Sequence, residues 1–70
     1  MSDLDTLKAI LDRAGVVYSM RDREPRWQEG EATALEVTPG DNPQNKGYGG
    51  FVSRLVFDDE GVLLCWEVWE

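Results

Sequence analysis

Apolar positions along the chain change period once, and that change separates a helix from everything after it. Leu4, Leu7, Ile10, Leu11 and Ala14 recur at the three- and four-residue spacing of a single helical stripe, with Asp5, Lys8, Asp12 and Arg13 off it. Ser2 or Asp3 can cap the first turn, Asp5 completes a weak capping box with Ser2, and Gly15 supplies the C-cap. The pattern predicts a helix over Asp3 to Ala14. From Val16 onward the period is two. Val16, Tyr18 and Met20 alternate with Val17 and Ser19, and Thr33, Leu35 and Val37 alternate with Ala32, Ala34 and Glu36, so strands are predicted over Val16 to Met20 and over Ala32 to Thr38. Phe51 to Phe57 and Val62 to Trp69 are rich in Val, Leu, Phe and Trp. Asp58-Asp59-Glu60-Gly61 joins them with a glycine where a positive φ is wanted, which predicts a β-hairpin.

The connections between these strands are too short for crossover helices, so the strands are expected to be antiparallel, and one helix can cover one face of their sheet. The expected fold is α+β: a single domain over residues 1–70, with the N-terminal helix packed on one face of a four-stranded antiparallel sheet. Both faces of the last hairpin are apolar. Val62, Leu64, Trp66 and Val68 fall on one side, and Leu63, Cys65 and Trp69 on the other with Glu67. One face is therefore in surplus. Either it is an open interaction surface with Trp69 as its anchor and Trp66 packed under the helix, or Trp27 and the polar loop after Pro39 fold over it. That loop, Asp41 to Lys46, carries nothing apolar and runs on to Gly50, a length expected of mobile or functional segments.

Composition sharpens this picture. Seventy residues leave room for one modest core. No apolar run is long enough to span a bilayer, and Asp3, Leu4 and Asp5 do not open a secretory signal, so a cytoplasmic protein without membrane contact is expected. The single cysteine, Cys65, has no disulfide partner, and the chain has no histidine. The usual structural zinc sets and the Ser-His-Asp and Cys-His catalytic arrangements are thereby excluded. No cofactor, no metal and no enzymatic activity are expected.

The net charge of −7 is unevenly placed. Up to Arg26 five carboxylates are balanced by five cations, whereas from Trp27 onward nine carboxylates face only Lys46 and Arg54. The second half carries the whole excess, a field that repels nucleic acid and attracts basic partners, although a charge of this size also serves solubility alone. Candidate partner-binding residues are accordingly Asp58, Asp59, Glu60, Glu67, Trp69 and Glu70. A divalent cation at Asp58-Asp59-Glu60 is weighed against an exposed turn, and the turn is the commoner use of such residues. Tyr48, Gly49, Gly50 and Trp27 are candidate ligand-binding residues, with Arg21, Arg23 and Arg26 available to a phosphate. The glycines precede a strand instead of opening a helix, so they lack the converging amides of a phosphate loop.

The pattern formed by Gly47, Tyr48, Gly50 and Phe51, then Phe57, Asp58, Gly61 and Leu63, then Trp69 and Glu70, resembles small uncharacterised proteins of bacteriophages and prophages. These are turn glycines and core aromatics, and they cover about the last third of the chain. The resemblance implies a mobile-element origin, in a setting where tiny acidic proteins disarm host defences. Three roles then stay open: a non-enzymatic inhibitor of anti-CRISPR or anti-restriction type that binds a basic host protein in the host cytoplasm, a nucleotide sponge, and a homodimeric structural or assembly protein.

Overall fold

A computed structural model describes residues 1–22 and 28–70. Its elements are α1 (Asp3–Ala14), β1 (Ser19–Asp22), β2 (Thr33–Val37), a 3-10 turn (Pro39–Asp41), β3 (Val52–Phe57) and β4 (Leu63–Trp69). The four strands form one antiparallel sheet in the order β1-β2-β3-β4, so chain order and spatial order coincide and β1 and β4 are its edges. The expected helix-plus-sheet architecture is the one observed.

The helix is set at both ends by its own sequence. The Ser2 hydroxyl accepts the Asp5 amide at 3.1 Å and the Asp5 carboxylate accepts the Ser2 amide, a reciprocal capping box that satisfies two orphan donors and holds the Asp5 carboxyl below its usual range. Gly15 ends the helix at φ 74°, a left-handed conformation that costs glycine nothing. Leu4, Leu7 and Leu11 are half-buried, while Ile10 and Ala14 turn outward from the predicted stripe.

Paired residues of an antiparallel sheet share a face. One face therefore carries Met20, Thr33, Leu35, Val37, Ser53, Leu55, Phe57, Trp66 and Val68; the other carries Ser19, Arg21, Ala34, Glu36, Val52, Arg54, Val56, Cys65, Glu67 and Trp69. The helix starts at the β3–β4 turn, where the Leu4 amide donates to the Gly61 carbonyl at 3.0 Å. It ends beside Val37, which lines a shallow cleft of about 260 Å³ with Val16, Pro39 and Asn42. It thus crosses the first face diagonally, from the start of β4 to the end of β2, and leaves the second half of β4 uncovered. Leu35 and Phe57 are fully buried on this face, and Ala34 and Val56 are fully buried on the opposite one.

Three expectations need correcting. Val16, Val17 and Tyr18 are not strand: the Asn42 side chain bonds both the amide and the carbonyl of Val17, so β1 begins only at Ser19. The polar loop, expected to be mobile or functional, is tied down. Asn42 also donates to the Thr38 carbonyl, Gln44 donates to the Ala14 carbonyl, and the backbone at Gly40 and Gly49 comes into close approach. And Trp66 does not pack under the helix. It points to the helix side of the sheet but lies beyond the helix's reach, 67% exposed.

Candidate functional site

All seven residues of β4 are exposed, although five of them are Leu63, Leu64, Trp66, Val68 and Trp69. Their exposure follows from position. An edge strand has a neighbour on one side only, and α1 has already crossed to β2 where Trp66 and Val68 stand. A β-bulge adds to the exposed surface: Val56 faces Cys65 and Phe57 faces Leu63, so Leu64 is the extra residue opposite the core strand. The result is an apolar stripe of Leu63, Leu64, Trp66 and Val68 on one side of an edge whose outward backbone groups have no strand partner among the described residues.

Carboxylates stand at both ends of the stripe. At the turn, Asp59 and Glu60 are exposed, but Asp58 has a structural task. One of its carboxylate oxygens accepts the amides of Glu60 at 2.8 Å and Val62 at 2.9 Å, folding the loop so that Gly61 can take φ 79° under Ser2. Of the three turn acids, two are therefore free to act outward. At the far end, about 23 Å away for seven residues at ~3.3 Å each, Glu70 accepts a hydrogen bond from the Tyr48 hydroxyl that pushes the phenol above its ordinary pKa. The Tyr48 ring packs edge-on against Phe51 with centroids 5.2 Å apart. Tyr48 thus meets Glu70, a carboxylate, where a phosphate-binding loop wants positive charge. Of the six proposed partner-binding residues, Asp58, Asp59, Glu60 and Glu70 stand at the two ends of β4, and Glu67 and Trp69 lie within it.

Trp69 and Glu67 lie on the opposite side of the sheet. Trp69 is exposed, with the Arg54 guanidinium 5.0 Å from its ring centroid. Arg54 in turn holds Glu36, with its terminal nitrogen 2.6 Å and its Nε 2.8 Å from one carboxylate oxygen, while Arg21 Nε stands 3.0 Å from the other. Burial pushes the Glu36 carboxyl up, but the hydrogen bonds and charges of the two arginines outweigh it, and the carboxyl ends below its usual range. Cys65, between Trp66 and Leu64, is a free thiol whose Sγ lies 3.9 Å from a Glu31 oxygen. Its pKa is raised by burial and by the nearby Glu31 and Glu67 carboxylates.

The Glu36 cluster escaped the sequence reading, because a lone glutamate in an alternating strand looks solvated until the register places Arg54 beside it. Trp27, Arg23 and Arg26 lie outside the described residues. Among the described residues, no three acidic or thiol ligands converge to hold a metal ion, and no helix is long and apolar enough to cross a membrane. Comparison of the chain with protein-family models, with curated proteins and with solved structures finds no match in any of the three.

Proposed function

We propose that the chain is a non-enzymatic binding protein that captures a basic partner through the β4 side of its sheet. The observation that carries this reading is an apolar edge strand, exposed along its whole length, with Asp59 and Glu60 at one end, Glu70 at the other and Glu67 along it. An exposed apolar stripe in a small domain is costly unless something covers it, and carboxylates around it select a cationic cover and repel nucleic acid. Combined with the phage-like pattern of the last third, the reading becomes an inhibitor of anti-CRISPR or anti-restriction type, seated on the nucleic-acid-binding surface of a host defence protein. Such a protein needs a field and a rigid sheet to display it, with no chemistry of its own.

The immobilised protein should retain basic nucleic-acid-binding proteins from a bacterial lysate, release them as salt is raised, and lose them to competing duplex DNA. Reversing Asp59 and Glu60 together should weaken retention while leaving Asp58 to hold the turn. Retention that ignores both salt and DNA overturns the reading.

A further inference from the structure

We propose that β4 is the docking edge for an extended segment of the partner, one that alternates apolar and basic residues and joins the sheet as a fifth strand. This rests on the reading of the chain as a binder of basic proteins and adds the route by which it binds.

The two edges of the sheet differ in the way that matters for strand addition. β1 is four residues, Ser19-Met20-Arg21-Asp22, short and charged, which is how native sheets discourage pairing. β4 is seven residues with no lysine, arginine or proline among them. Its start is closed, where the Asp3 carboxylate accepts the Leu63 amide at 3.0 Å. From Leu64 to Trp69 the outward backbone groups have no neighbouring strand among the described residues.

An added strand meets a different chemistry on each side. Toward the helix it lies along Leu64, Trp66 and Val68, all exposed and apolar. On the other side it lies along Cys65 and Glu67. Arg54 is the register neighbour of Glu67, but its guanidinium is committed to Glu36 and Trp69, and among the described residues Glu67 makes no ion pair. Glu31 places a second carboxylate 3.9 Å from the Cys65 thiol. Apolar side chains on one side and cations on the other, at period two, complement this edge.

A second copy of the chain complements it poorly. A two-fold pairing centred on Trp66 sets Glu67 opposite the copy's Cys65, beside the copy's Glu31, and does so twice, between molecules that each carry −7. Charge therefore selects a basic strand over a self-pair.

The test uses a synthetic peptide alternating valine and lysine, a peptide of the same composition with its valines and lysines in two blocks, and an alternating valine–glutamate peptide. Binding is measured by titration, and amide hydrogen exchange is followed residue by residue. The alternating valine–lysine peptide should bind at least about tenfold more tightly than either control, a difference of about 1.4 kcal/mol, and slow the exchange of alternate amides between Leu64 and Trp69. Glu67→Lys and Trp66→Thr should each weaken it. Equal binding of both lysine peptides without protection of β4 overturns strand addition and leaves the anionic-binder reading standing. No binding of either lysine peptide at low salt overturns both. A dimer whose β4 amides are protected before any peptide is added assigns the edge to a second copy and overturns the proposal.

Discussion

Glu36 and Trp66 exchange the places that hydropathy assigns them. The glutamate, in a central strand, is 9% exposed, and the tryptophan, in the last strand, is 67% exposed. The contrast between β2–β3 and β4 shows that burial in so small a sheet is decided by neighbours before it is decided by side-chain type. β2 and β3 have a strand on either side, so even a carboxylate there is sealed, and it is tolerated because two guanidiniums meet it. β4 lacks a neighbour on one side and a helix above its second half, so its leucines and tryptophan stay in water. A buried charge that is fully partnered is structural, whereas an exposed apolar strand is of the kind that commonly serves as an interaction surface.

Among the charged residues, the largest expected effect breaks the buried side of the contrast. Arg54→Met strands the Glu36 carboxylate with Arg21 as its remaining arginine and should cost about 3 kcal/mol, the lower end of the range for opening a buried ion pair. A chain of this length has about 4–10 kcal/mol of stability in all, at 0.05–0.15 kcal/mol per residue, so the loss should be a large fraction of the whole and lower the unfolding midpoint markedly. Replacing Glu36 by leucine in the same molecule should recover most of the loss. Urea unfolding of the two variants checks both statements, and an unchanged midpoint for Arg54→Met would mean that Glu36 is solvated after all.

Acid probes the same cluster more gently. The folded-state pKa of Glu36 lies below the ordinary glutamate value of 4.5, so its stabilising contribution is complete above that value and is lost as pH falls through the folded pKa. Stability should hold at neutral pH and fall below about 4.5, and Glu36→Gln should flatten that fall. Urea midpoints taken from neutral pH down through the carboxylate range decide it.

Much of the fold was legible because local signals agreed with one another. The capping box of Ser2 and Asp5, the left-handed Gly15 and the Asp58–Gly61 turn are each specified within a few residues, and each stands where the period of the chain places it. What depends on register was not legible. The pairing of Glu36 with Arg54 joins residues from two strands across the polar loop, and the bulge at Leu64 shifts the faces of β4 by one residue. The loop itself misled through its composition: Asn42 and Gln44 look like solvent-facing residues and are in fact side-chain substitutes for backbone partners of Val17 and Ala14. For the site, the excess of apolar residues in the last strand was visible, but which tryptophan it exposes followed only from the helix's diagonal path.

The turn acids sharpen the contrast at intermediate size. Asp58→Ala removes the acceptor of two backbone amides and should cost about 1 kcal/mol, while Asp59→Ala, on the outer side of the same turn, should leave stability within about 0.5 kcal/mol. Thermal unfolding of the pair separates the acid that shapes the hairpin from the one free to meet a partner. Equal losses would mean that the turn holds both.

The smallest expected change in stability is also the one that bears most on function. Trp66→Thr replaces a large exposed aromatic with a residue that suits a strand equally well, so unfolding should shift by no more than about 0.5 kcal/mol. A buried aromatic such as Phe57, cut to alanine, should cost about 3–5 kcal/mol. If Trp66 is instead the centre of the docked edge, the same substitution should lower affinity for the partner by about 2 kcal/mol, roughly thirtyfold, the scale of an interface hot spot. A stability loss approaching that of Phe57→Ala would show the stripe sealed within the free molecule, and β4 would then belong with β2 and β3 as core.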